Sequence, residues 1–106
     1  MEEMPVTPVP CTKGIKEHTV REWLAKLDSE VTEFKEAVLQ AYGGLEADTL
    51  NRSLFASEDS NAKVLWEKSD IVTVLASMMC QLGFSEDKTN KAQQMVNQSN
   101  HGKGRW

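Results

Sequence analysis

Four acidic residues occur at two matching spacings, Glu30-x-x-Glu33 and Glu67-x-x-Asp70. Each pair lies within a run of helical periodicity, so its phase can be read at about 100° per residue. With Leu27 at zero, the apolar stripe of the first run covers roughly −80° to +60°. Glu30 falls at about −60°, inside the stripe, and Glu33 at about −120°, on its edge. Glu36 lies near 180° and is expected to face water. With Ile71 at zero in the second run, Glu67 falls at about −40° and Asp70 at about −100°. Both runs thus place an acid in the stripe and a second acid three residues on, at its border. Residues i and i+3 are neighbours on a helix surface. Two packed helices would therefore turn Glu30, Glu33, Glu67 and Asp70 towards one another.

Four carboxylates so placed repel, and partial burial adds to the cost of ionising them. A hard cation relieves both penalties. Mg²⁺ takes oxygen ligands and normally keeps water and substrate phosphate in its shell; Mn²⁺ is a reasonable substitute. No histidine or cysteine sits at a matching position, which argues against zinc. No glutamate has a histidine three residues later, so a ferritin-like di-iron site is not expected. No basic residue stands at a matching position on the two stripes.

The elements that must position these acids are all helical, and the expected class is all-α. Thr19 and Glu22 form a capping-box pattern. Val20, Trp23, Leu24, Leu27, Val31, Phe34, Val38 and Ala41 then continue a helical period to Gly43-Gly44. Residues 45–55 suggest a short helix, and 56–61 a polar loop. A second helix is expected over about 61–82, with Val64, Ile71, Val74, Leu75, Met78 and Leu82 on one stripe. Its second apolar face carries Leu65, Val72, Ala76 and Met79, and such a helix is buried on most sides. Gly83 stops it. Ser85, followed by Glu86 and Asp87, opens a third helix that fades near Ser99. Residues 1–14 hold all three prolines and read as an extended arm; residues 15–106 read as one helical domain.

The net charge of −4 and pI near 5.1 argue against a nucleic-acid scaffold. The most apolar stretch, Ile71 to Cys80, is too short to span a bilayer, and the N-terminus lacks the apolar core of a signal peptide. Cys11 and Cys80 make no disulfide framework, so a reducing, cytoplasmic setting is expected. Met78, Met79 and Cys80 read as core. His18 and His101 have no ligand partner at useful spacing.

The ExxE and ExxD pairs, in the contexts SEVTEFKEAV and WEKSDIVTVL, resemble the signature of MazG-like all-α nucleotide pyrophosphohydrolases. GFSEDK is similar to that family's turn into its last helix, and Asn97 to Lys103 resembles its "SNxxK" ending. The resemblance covers residues from about 19 to 106. It implies a MazG-like helical bundle. The second apolar face (Leu65, Val72, Ala76, Met79) exceeds what three or four short helices can cover in one subunit, so a homo-oligomer, either a homodimer or a dimer of dimers, is expected. The resemblance also implies Mg²⁺-dependent cleavage of a nucleoside triphosphate (NTP or dNTP) to a monophosphate and pyrophosphate. Glu30, Glu33, Glu67 and Asp70 would hold the metal. One carboxylate, Glu33 or Glu30, would take the proton from water. Asn100 and Lys103 would contact substrate. Two other readings stand beside this one: a non-catalytic helical oligomerisation or partner-binding module, and a phosphoribosyl-ATP pyrophosphohydrolase-like enzyme.

Overall fold

The computed structural model describes residues 3–11, 18–42 and 58–106. Three helices carry all its regular structure: α1 (Val20–Tyr42), α2 (Glu58–Gln81) and α3 (Glu86–Gly102). No strand occurs among the described residues, so the all-α class holds. None of the helices is long and apolar enough to cross a membrane. The short helix expected within residues 45–55 lies outside the described residues.

The helix ends are set by local chemistry that the sequence carries. At the start of α1 the Thr19 N–H donates to the Glu22 carboxylate at 3.0 Å, and the Glu22 N–H donates to the Thr19 hydroxyl at 3.2 Å. This reciprocal box satisfies two donors at the helix start. The same backbone hydrogen bond holds the Glu22 carboxyl below its ordinary value. Ser85 caps α3 by accepting from the Lys88 N–H. Both α2 and α3 end in the same motif. Past α2, the Phe84 N–H donates to the Met79 carbonyl and the Gly83 N–H to the Cys80 carbonyl, with Gly83 at φ 83°. Past α3, Arg105 donates to Asn100 and Gly104 to His101, with Gly104 at φ 71°. A positive φ at this position is the glycine C-cap of a Schellman motif. α3, expected to fade near Ser99, instead continues to Gly102, and the residues after it fold back over its last turn.

α1 and α2 pack against each other, while no Cα of α3 comes within 8 Å of either. The core between α1 and α2 is small: Trp23, Ala37, Val74 and Met78 are buried, with Leu27 and Met79 packed beside the cluster. On the helical wheels these buried positions sit between about −20° and −80°, not at the centre of the apolar stripes. Other stripe residues, such as Val31, Phe34, Val64 and Ile71, are half-buried, and part of each stripe is left open. Val20 and Leu24 on α1, and Leu75 and Leu82 on α2, are all exposed. On the second apolar face of α2, Leu65 is exposed and Val72, Ala76 and Met79 are half-buried within the single chain. Cys80, expected in the core, is exposed as well. The core reading failed there because periodicity counts every apolar position, whereas one neighbouring helix covers only part of a stripe.

Two polar residues of α2 fasten the N-terminal segments. Ser77, only 2% exposed, donates to the Thr73 carbonyl and accepts the Cys11 N–H, both at 2.8 Å. Gln81 accepts from the Trp23 indole N–H at 2.9 Å and from the His18 N–H at 3.3 Å, while its amide donates to the His18 carbonyl. The His18 ring meets the Trp23 ring edge-on, with centroids 4.7 Å apart. Neither Ser77 nor Gln81 was singled out by periodicity, because both are polar residues whose partners lie 58 to 66 positions away in sequence.

Candidate metal centre

Burial on each helix is centred where the acids sit. Trp23, Glu30 and Ala37 recur every seven residues on α1, and Glu67 and Val74 do the same on α2. Packing that buries Trp23 against Val74 and Met78 therefore also turns Glu30 towards Glu67. One carboxylate oxygen from each of Glu30, Glu33 and Glu67 lies within 4.8 Å of the others. Glu67 is buried at 9% exposure, Glu30 is half-buried and Glu33 is exposed. The cluster thus has a closed side and a side open to water. Glu36 is exposed, as its phase requires.

Asp70 stands at the border of this trio. It is half-buried, and its charge reaches Glu30. Burial pushes the Glu30 carboxyl above its ordinary value, and the charges of Glu33 and Asp70 push it the same way. One cation opposes them. Lys26 Nζ lies 3.6 Å from Glu30 Oε1, one turn earlier on α1. The expectation that no basic residue accompanies the acids is corrected by that contact. Lys26 falls at about −100° on the wheel, on the stripe's edge, and its long stem lets the ammonium reach inward from there.

One lysine does not satisfy the cluster. Glu30 Oε2 and Glu67 Oε2 are both buried and lack any hydrogen-bond partner. A buried, unpartnered carboxylate oxygen is expensive, and native proteins pair such groups or use them to coordinate metals. The donor set is all hard oxygen, with no thiolate or imidazole in it. These residues fit Mg²⁺ or Mn²⁺.

Asn100 and Lys103 are not brought to the acids within one chain, since α3 stays clear of α1 and α2. Asn100 is half-buried, and its Oδ1 accepts from the Arg105 guanidinium at 2.9 Å. Lys103 is exposed at the C-cap of α3. His101 meets Trp106 edge-on, so the last turn of α3 presents an ordered group of basic and aromatic side chains.

No family model, curated protein or solved structure matches the chain. The class defined by the fold and the cluster is an all-α protein with carboxylates gathered between two packed helices.

Proposed function

We propose that this chain is a Mg²⁺-dependent nucleoside triphosphate pyrophosphohydrolase of the MazG-like type. One observation carries the reading. Glu67 is buried in the only well-packed interface among the described helices, its Oε2 has no partner, and two further carboxylates face it. A protein that merely associated through helices would gain nothing from such a group, because an apolar side chain there would be more stable. A stable role needs a cation, and a cation ringed by acids needs an anionic ligand to complete its shell.

Glu30, Glu67 and Asp70 would hold the metal from the closed side, with Glu33 completing the set at the open side. Bound Mg²⁺ supplies charge compensation for phosphate oxygens and lowers the pKa of an attacking water. Glu33, being exposed, would be the carboxylate that accepts a proton from water approaching from solvent, ahead of Glu30, which is half-buried and paired with Lys26. Water adds to the substrate between its α- and β-phosphates, so that a monophosphate and pyrophosphate leave. Either a ribose or a deoxyribose triphosphate fits this scheme. The test is a panel of NTPs, dNTPs and phosphoribosyl-ATP incubated with protein and Mg²⁺ or Mn²⁺, read as pyrophosphate released. Release from at least one triphosphate is the expected result. No turnover of any nucleotide with either metal would reject the enzyme reading and favour the oligomerisation module.

The exposed apolar positions support self-association. Val20 and Leu24 lie four residues apart on α1, Leu75 and Leu82 seven apart on α2, and Met95 and Val96 adjoin on α3; all are exposed in the single chain. Exposed apolar side chains repeated at helical spacing are what an interface would cover. A homodimer or dimer of dimers would cover these positions, and it would offer α3 a packing partner that α1 and α2 of its own subunit do not. Light scattering at micromolar protein should give two or four times 11.9 kDa; a fully active monomer would refute the assembly. We place the protein in the cytoplasm, a reducing setting in which free cysteines are the rule and disulfides are transient.

A further inference from the structure

We propose that Cys11 and Cys80 form a redox pair whose disulfide ties the N-terminal arm to α2. The inference is independent of the carboxylate cluster. Both thiols are free and exposed, although 69 positions separate them in sequence. The fold removes most of that separation. The backbone N–H of Cys11 is anchored on Ser77 Oγ at 2.8 Å. Cys80 follows Ser77 by three residues on the same helix, and side chains so spaced lie side by side with Cβ atoms about 5–6 Å apart. The second anchor is Gln81, which holds both the N–H and the carbonyl of His18. The N-terminal chain is thus fixed to α2 one turn before Cys80 and again immediately after it.

The anchor at Ser77 is specific. Ser77 is the most buried polar residue of the described chain, and its hydroxyl accepts from the arm while donating to its own helix. The arm itself, residues 3–11, is exposed throughout. A disulfide needs Cβ atoms about 3.5–4.5 Å apart. A surface segment held by one hydrogen bond can make that adjustment without disturbing the Trp23–Val74–Met78 core. The thiols belong to no three-ligand metal group, since among the described residues that grouping is confined to Glu30, Glu33 and Glu67.

The oxidant is a low-molecular-weight disulfide such as oxidised glutathione. One cysteine thiolate attacks its S–S bond, giving a mixed disulfide with the protein and releasing one glutathione thiolate. The second cysteine thiolate attacks the protein sulfur of that mixed disulfide. The Cys11–Cys80 bond forms and the second glutathione thiolate leaves. The two protein thiols lose two electrons and two protons, and the oxidised glutathione is reduced to two glutathione molecules. The second step is intramolecular, from a segment anchored on Ser77 to a thiol three residues further along the same helix, so it should outrun accumulation of the mixed disulfide.

The full-length chain, at low micromolar concentration, is incubated with oxidised glutathione, quenched with an alkylating agent and weighed by mass spectrometry. The expected product is a chain lighter by two hydrogens with no glutathione attached, and the Cys11→Ser chain should instead retain one glutathione. Bridge formation should be at least tenfold slower in urea, where the arm is no longer anchored. Ser77→Ala should slow it about fivefold, the effect of one lost hydrogen bond; circular dichroism confirms that this variant is folded. Two stable glutathione adducts per chain, a predominantly intermolecular disulfide, or equal rates in native buffer and urea would each overturn the proposal.

Discussion

Glu67→Gln is expected to reduce pyrophosphate release by about 10²–10³-fold, the scale on which a preorganised charge at a reacting centre acts. The substitution preserves volume and removes one negative charge from the only buried member of the cluster. Its amide NH₂ cannot act as a metal ligand, and the remaining carbonyl oxygen is a weaker donor than a carboxylate. Glu30→Gln, Glu33→Gln and Asp70→Asn should fall by similar or somewhat smaller factors. The control is Glu36→Gln, three residues beyond Glu33 on the same helix but exposed on the far side of it; turnover should stay within a factor of two. The variants must be compared at matched helicity. Glu67→Gln should be no less stable than the parent without metal, because it removes a buried unpartnered charge. If Glu36→Gln proves as damaging as Glu33→Gln, the phase of α1 assigned here is wrong.

Much of this arrangement can be read from residue spacing. The capping box at Thr19 and Glu22, the glycine stop at Gly83 and the N-cap at Ser85 are local patterns, and each is satisfied by neighbouring backbone. The juxtaposition of Glu30, Glu33 and Glu67 follows from two helical phases, which needs only the 3.6-residue period. What spacing does not convey is which part of a broad apolar stripe a neighbour covers. Leu24 and Trp23 are adjacent and both apolar, yet Trp23 is 4% exposed and Leu24 47%. That difference depends on the crossing of α1 over α2, a long-range property. For the same reason Cys80 reads as core and is not, and periodicity does not point to Ser77, the most buried of the described residues. α3 shows a further gap. Its caps and period define a helix, but nothing local reveals that it would stand clear of the other two described helices. Lys26 was legible in principle, since Lys26 and Glu30 are an i, i+4 pair; it is overlooked when only the stripe interiors are searched for compensating charge.

The second large effect is a melting temperature that depends on metal. Mg²⁺ binds the folded cluster and has no equivalent site in the unfolded chain, so it stabilises by mass action. At one hundred times its dissociation constant the gain is about 2.7 kcal/mol for one site. In a domain of this length that raises the melting temperature by on the order of 10 °C. Without metal the cluster also has a pH signature. The Glu30 carboxyl is raised by burial and by its acidic neighbours, so the folded state holds that proton more tightly than the unfolded one. Its contribution to stability is fully present below the ordinary glutamate value and is lost as pH rises through the raised folded value. The metal-free protein should therefore gain stability on mild acidification. The gain reverses once Glu22, whose carboxyl is lowered by its capping bonds, begins to be protonated. The measurement closest to the central claim is a pair of melting curves, in EDTA and in excess Mg²⁺, for the parent chain and for Glu30→Gln/Glu67→Gln. The account predicts a rise of on the order of 10 °C with Mg²⁺ in the parent, and a double variant that melts higher than the parent in EDTA and ignores the metal. A parent curve indifferent to Mg²⁺ would contradict it, because the four acids would then not form a cation site.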